Sequence, residues 1–324
     1  FQVRAGESFA LVGESGCGKS VTALSIIQLV QSPSGYIAGG EIGYRGKDIV
    51  HIPETEKRTL RGNEISMIFQ EPMTSLNPVF TVEQQLTEVM RRHRGLSRKE
   101  ARDEALRMLE RVKMPEPGLR LKEYPHQLSG GMKQRVMIAM ALACHPGLLI
   151  ADEPTTALDV TIQEQILSLM RELRKEFGTA VLLITHDLGV VAENADRVGV
   201  MYAGRIVEQG TLEQILHNPA HPYTVKLLDS LPSAGKRKEA LQTIEGRVPP
   251  ATDVPAGCRF EPRCHKAVEI CREIDPELIP VENGHGAACV LYDEDRIGRR
   301  LPPGEVRDQA PPMMREKNIE DASP

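Results

Sequence analysis

Glu7-Ser8-Phe9-Ala10-Leu11-Val12 runs into Gly13-Glu14-Ser15-Gly16-Cys17-Gly18-Lys19-Ser20, and then into an apolar-rich stretch from Val21 to Val30. A short apolar run, a glycine loop and a second apolar run read as strand, loop and helix. The loop matches G-x-x-x-x-G-K-[ST] in the context that pattern requires, after a strand and at the opening of a helix. Its glycines let backbone N–H groups turn toward one centre, where the helix start adds partial positive charge, so the loop is a cradle for a polyphosphate. Lys19 is placed to reach the β- and γ-phosphates, and the Ser20 hydroxyl to ligate Mg²⁺. A glycine-rich turn with a surface lysine is the plainer reading, and the flanking strand and helix argue against it.

Working outward, Leu148-Leu149-Ile150-Ala151 and Ala180 to Ile184 are uniformly apolar, the pattern of parallel strands buried on both faces. Ile65 to Phe69 is a further buried-strand candidate after a polar, turn-rich region from Ser32 to Arg61. Between Thr81 and Met114 the period changes: Val82, Leu86, Val89 and Met90, then Ala101, Ala105, Met108, Leu109 and Val112, mark two amphipathic helices. A helical subdomain, about residues 81–145, is therefore expected as an insertion in an α/β core. Ile162, Ile166, Leu169 and Leu173 make one more helix stripe, and no internal repeat is visible. The strand ending at Ala151 delivers Asp152 and Glu153 at its carboxyl end, where α/β sheets place ligands. Asp152 suits Mg²⁺, and Glu153 suits the role of general base toward an attacking water. Acids also suit a helix's first turn; coupling to the glycine loop favours the chemical reading.

The chain has 324 residues, 40% hydrophobic and 26% charged, which excludes wholesale disorder. A formal charge of −5 gives no broad electrostatic reason to bind nucleic acid. The longest apolar run, Val136 to Cys144, is nine residues, against the roughly 18 to 20 that a bilayer crossing needs. Phe1 to Glu7 lacks a basic start, an apolar stretch and a cleavage site. A cytoplasmic protein is expected.

Leu128-Ser129-Gly130-Gly131-Met132-Lys133-Gln134-Arg135 adds small residues opening a long helix, a second anion site. This stretch resembles the signature of ABC-type ATPases. In order, Phe69-Gln70-Glu71-Pro72 resembles their glutamine loop, Ala157-Leu158-Asp159 their D-loop, and Thr185-His186-Asp187 their switch histidine. The resemblance implies a P-loop NTPase fold whose domains pair head to tail, with Ser129, Gly130, Gly131 and Asp159 at the partner's nucleotide. It also implies that Gln70 senses metal and water, and that His186 holds the γ-phosphate. Motion would pass to separate membrane subunits through the groove beside Gln70 and the segment from Pro72 to Phe80.

Glu71 to Pro78, Tyr124-Pro125-His126-Gln127 and His221-Pro222-Tyr223-Thr224 resemble, more narrowly, the oligopeptide/dipeptide importer ATPases, and the dipeptide-type subunit in particular. That implies an ATPase domain over 1–231, a C-terminal extension over 232–296 and a polar tail over 297–324. It implies a second ATPase subunit in a heterodimer, two permease subunits, an extracytoplasmic substrate-binding protein, and a peripheral place on the cytoplasmic face of the membrane. Locally, His221 to Thr224 also reads as a Pro-bearing turn capping the last helix. The family's adenine-stacking aromatic has no counterpart, since Phe1 and Phe9 lie too close to Gly13. The first strands look absent, and weakened ATP affinity is expected. Cys17 is expected inside the cradle, where alkylation would block ATP; the plainer reading makes it a small filler.

Cys258, Cys264, Cys271 and Cys289 stand in a module with little apolar sequence of its own. Four soft ligands suit a [4Fe-4S] cluster or tetrahedral Zn²⁺, and the plainer reading is a module that binds no metal. The absence of C-x-x-C pairs counts against zinc, and a reducing cytoplasm against disulfides. Matching cysteines in the dipeptide-type family imply the cluster. Nickel and oligosaccharide importers use similar ATPases, so cargo stays open. A soluble ATPase acting on DNA or ribosomes is the rival, but no coiled-coil insertion, second cassette or basic arm is visible. A second rival makes the cysteine module a regulatory domain.

Overall fold

The computed structural model describes residues 1–30, 33, 35–70, 75–156, 158–230 and 244–297. Glu71 to Thr74 and Ala157 of the quoted motifs, residues 231–243 of the expected linker and residues 298–324 of the expected tail lie outside them. The five residues of β1 (Ser8–Val12) are all buried, and the glycine loop turns into α1 (Lys19–Ile26), which starts and stops earlier than the apolar stretch suggests. A short hairpin, β2 (Gly43–Tyr44) and β3 (Lys47–Asp48), and α2 (Glu54–Leu60) precede β4 (Ile65–Ile68).

The two amphipathic helices are α3 (Val82–Arg94) and α4 (Arg98–Arg111), and each starts in a capping box. Thr81 accepts from the Gln84 N–H while Gln84 reaches back to Thr81; Ser97 and Glu100 do the same. Each such cap contributes about 1 kcal/mol. After a single turn, α5 (Pro117–Arg120), comes α6 (Gly130–Leu142), in which Val136 to Ala139, Ala141 and Leu142 are all buried. A helix that is apolar on nearly every side belongs inside, and α6 packs against α3, α4 and β4. All four helices fall between β4 and the next strand, β5 (Leu148–Asp152), so the helical block is an insertion.

Next come α7 (Val160–Phe177), with Ile166, Leu169 and Leu173 buried, then β6 (Ala180–Ile184), α8 (Leu188–Asn194), and the antiparallel pair β7 (Arg197–Tyr202) and β8 (Arg205–Thr211). The chain continues through α9 (Leu212–His217) and α10 (Pro222–Asp229) to β9 (Ile279–Glu282) and β10 (His285–Ala287). One eight-stranded sheet has the order β4-β5-β6-β1-β7-β8-β10-β9. From β4 to β7 it is parallel, with Ile68 opposite Ala151, Asp152 opposite Ile184 and Leu11 opposite Ile184. The carboxyl ends of β4, β5, β6 and β1 therefore open on one edge, and they carry Gln70, the Asp152–Glu153 pair, His186 and the glycine loop.

The cysteine-bearing segment is less separate than its composition implies. Its β10 pairs with β8, Gly286 opposite Gln209 and Ala287 opposite Glu208, so its hairpin extends the central sheet. Ala220 and Val225 from the α10 region share a core with Val281, Ala287, Leu291 and Tyr292. The seam is also polar. The fully buried Glu208 accepts from the Ala220 and His221 N–H groups (2.7 and 2.8 Å) and pairs with His285 Nε2 (2.8 Å). His221 caps α10, its Nδ1 accepting from the Tyr223 N–H at 3.0 Å, which is the local capping role read from the sequence.

Candidate active site

Gly13 must be glycine because a Cβ there would strike the Met201 carbonyl oxygen and lie 2.8 Å from the Cys17 sulfur. Gly18 caps α1 at φ 108°, where L side chains are strained. Lys19 is buried at the first position of α1, and its Nζ donates to the Gly13 and Glu14 carbonyls at 2.8 and 3.0 Å. The ammonium is thus held at the mouth of the loop. The thiol of Cys17 lies against the phosphate lysine, its Sγ accepting from Lys19 Nζ at 3.7 Å, but it is closed to solvent. It is 1% exposed and packs with Phe9, Leu11, Ala23 and Met201 behind the loop. Burial pushes the thiol up, only partly offset by the nearby Lys19 charge, so alkylation there requires the core to open. Phe9 is fully buried and stacks on Phe1 at 5.2 Å, which gives that ring a core role.

Asp152 is 3% exposed at the end of β5. Burial pushes its carboxyl up and the Glu153 charge adds to that, while the Ser20 hydroxyl and Lys19 oppose both. Its Oδ1 is buried without a hydrogen-bond partner. A buried, unsatisfied carboxylate oxygen beside a hydroxyl at a helix start is a fitting pair of hard ligands for Mg²⁺.

Glu153 has φ 47°, uncommon for a non-glycine residue, and its N–H donates to the Ile184 carbonyl at 2.8 Å. This turn aims the carboxylate at three side chains. Gln70 Nε2 and Thr156 Oγ1 donate to Oε2 at 3.1 and 3.0 Å, and His186 Nδ1 lies 2.9 Å from Oε1. Burial pushes the carboxyl up, but the hydrogen bonds from His186 and Thr156, together with the electrostatic pull of His186 and Lys19, outweigh it and leave the group below the usual carboxylate range. An ionised carboxylate fixed by a glutamine and a histidine can orient and polarise a water.

Ser129 caps α6, its Oγ accepting from the Met132 N–H at 3.3 Å; Gly130 and Gly131 form the first turn, close against Leu158 and Ile162. Asp159 caps α7 through the Ile162 N–H at 3.0 Å. These residues stand at helix starts outside the Gln70–Glu153–His186 cluster. The four cysteines line one pocket with His221, Phe260 and Leu291. Among the described residues no three His, Cys, Asp or Glu side chains are arranged to hold a metal ion. Burial raises the Cys258 and Cys289 thiols and pushes Cys264 up to about 11.

Four partners escaped the sequence reading. Thr156 stands one turn beyond Glu153, and a hydroxyl three residues after an acid was the available signal. Gln134, fully buried, donates from Nε2 to the Pro154 carbonyl at 2.5 Å and ties α6 to the turn after Glu153. Tyr223 and Arg263 reach Glu14 across more than 200 residues of sequence, and no local pattern announces that.

A glycine loop opening a helix, a buried acid, and a glutamate held by glutamine and histidine define a P-loop ATPase. The model for the family described as "ABC transporter" matches residues 1–156, and that for "Oligopeptide/dipeptide transporter, C-terminal region" matches residues 207–271. The oligopeptide transport ATP-binding protein AppD of Bacillus subtilis is 53% identical, over 91% of this chain and 90% of that protein. The oligopeptide transport ATP-binding protein OppD of Salmonella typhimurium is 53% identical, over 92% and 88%. The dipeptide transport ATP-binding protein DppD of Bacillus subtilis is 49% identical, over 95% and 92%. Among solved structures, the dimeric post-hydrolysis state of the ATP-binding cassette MJ0796 bound to ADP and Pi aligns with a TM-score of 0.58 at 30% identity. That alignment covers 65% of this chain and 88% of that one. The chain belongs to the ATP-binding proteins of the ABC transporter family, in the group that carries the oligopeptide/dipeptide transporter C-terminal region.

Proposed function

We propose that this chain is the ATP-hydrolysing subunit that powers an importer of di- or oligopeptides. The observation that carries the hydrolytic reading is the joining of Gln70, Glu153 and His186 beside the phosphate loop at the carboxyl edge of the sheet. The cargo class rests on the names of the relatives. In this account the residues from Gly13 to Ser20 bind the triphosphate, with Lys19 countering its charge. Ser20, Asp152 and Gln70 would hold Mg²⁺, which would neutralise charge on the transferring phosphoryl group. Glu153 orients the attacking water and takes its proton, and His186 steadies the γ-phosphate oxygens.

Ser129, Gly130, Gly131 and Asp159 serve the nucleotide of a second ATPase subunit in a head-to-tail heterodimer. Residues 1–231 form the ATPase domain and 232–296 the extension. No helix among the described residues is long and apolar enough to cross a membrane. In this reading two permease subunits carry the passage, with this chain peripheral on their cytoplasmic face and a binding protein supplying cargo outside. The four cysteines share one pocket without being arranged around a metal ion, and it is on the family resemblance of their positions that we assign them a [4Fe-4S] cluster that ties the extension together, with Zn²⁺ as the alternative.

Two measurements test this reading. Vesicles holding the assembled complex should accumulate labelled peptide only when ATP is supplied on the side of this subunit; uptake without ATP would overturn the motor. Anaerobically purified protein should contain iron and sulfide, and zinc without iron would overturn the cluster.

A further inference from the structure

The cysteine-bearing extension returns to the phosphate loop through one side chain. Arg263 ends the turn Glu261–Arg263, immediately before Cys264. Its guanidinium forks onto the Glu14 carboxylate at 2.8 and 3.0 Å. The side chains are only 5% and 28% exposed, so solvent and salt screen the pair weakly. The fork is itself held: Nη1 also meets the Tyr202 hydroxyl, Nη2 the Ile244 carbonyl and Nε the Glu245 carbonyl, at 3.2, 3.2 and 2.8 Å. All the N–H donors of an arginine are thereby used, an arrangement that lysine cannot reproduce. From α10, the Tyr223 hydroxyl accepts the Glu14 N–H at 2.9 Å. Both arms end on the same residue, the second of the phosphate loop.

We infer that Arg263 is a positioning residue for nucleotide, so that the extension completes the phosphate loop. The inference rests on the ATP reading above. Glu14 brings a carboxylate to a loop that must accept a polyanion; unpaired, it repels that anion, and paired, it does not. The fork also fixes the loop backbone, through which its N–H groups are aimed. Because coupling between sites is reciprocal, whatever orders the turn beside Cys264 also favours nucleotide at the loop.

The test is a titration of the full chain with a fluorescent ATP analogue, comparing the wild type with Arg263→Ala, Arg263→Lys, Glu14→Gln, the Glu14→Gln/Arg263→Ala double variant and Lys19→Ala. Arg263→Ala is expected to weaken binding about tenfold, and the same change made on Glu14→Gln less than about threefold, because the orphaned charge is gone. Arg263→Lys, which keeps charge and stem and therefore guards against misfolding, is expected to fall between. Wild-type affinity in both Arg263 variants, or an equal loss on the two backgrounds, would overturn the inference. Equal binding by the wild type and Lys19→Ala would instead overturn the ATP reading and this inference with it.

Discussion

Replacing Glu153 with glutamine is expected to lower ATP turnover by a factor on the order of 10² to 10⁴, the usual contribution of general acid–base catalysis. The exchange is nearly isosteric. Glutamine keeps an oxygen where Gln70 and Thr156 donate and places an amide beside His186, whose Nδ1 accepts from it in the other neutral tautomer, so the cluster's geometry survives while its charge is lost. ATP binding should persist, because Lys19, Ser20 and Asp152 are untouched. The depressed carboxyl of Glu153 sharpens the expectation: its charge is stabilised by hydrogen bonds from His186 and Thr156 in spite of burial, so it is ionised and able to polarise a water at neutral pH. Phosphate release by the variant within about tenfold of wild type would assign the water to another group.

The second large effect is on stability. Complete burial pushes the His221 ring down from 6.5 to about 3, against a partly compensating hydrogen bond to the Ala288 backbone. Its neutral Nδ1 is also the acceptor that caps α10. Above about pH 6.5 the ring is neutral both folded and unfolded, so pH has no hold on stability through it. Below that, the unfolded chain binds a proton that the folded chain excludes. Stability then falls with acid by about 1.4 kcal/mol per pH unit, or roughly 2 kcal/mol by pH 5. His221→Asn keeps a good capping acceptor and removes the titration. Urea midpoints measured from pH 7.5 to 5 should therefore drop less steeply in the variant. Parallel slopes would mean that His221 contributes nothing to acid lability.

The parts of this molecule that were legible in the sequence are those whose cause is local. Phe9 to Val12, Leu149 to Ala151 and Val181 to Ile184 are apolar without alternation because both faces of the parallel sheet are covered, and the glycine loop declares itself by spacing. Gln70, Glu153 and His186 were found one at a time, each just beyond a strand end, and their convergence follows from the parallel order of β4, β5 and β6. The antiparallel half was not legible. β7 and β8 turn on Ala203 and Gly204, both at positive φ, and alanine is no turn signal there. β10 is three residues long and β9 contains Pro280, so neither carries a strand pattern; pairing with β8 makes them strands. The burial of the Cys17 thiol was likewise invisible, because a loop has no periodicity from which to read an inside. Arg263 and Glu14 stand 249 residues apart in sequence, and only the folded chain joins them.

The central claim, that this subunit converts ATP hydrolysis into peptide import, is tested most directly by phosphate release from the assembled complex in lipid. The complex holds this chain, a second ATPase subunit and two membrane subunits, and is presented with binding protein loaded with peptide, nickel or sugar. The account predicts that peptide-loaded binding protein stimulates hydrolysis and that the other two leave it at its basal rate. Stimulation by nickel or sugar alone, or no response to any of the three from a complex that binds ATP, would contradict it.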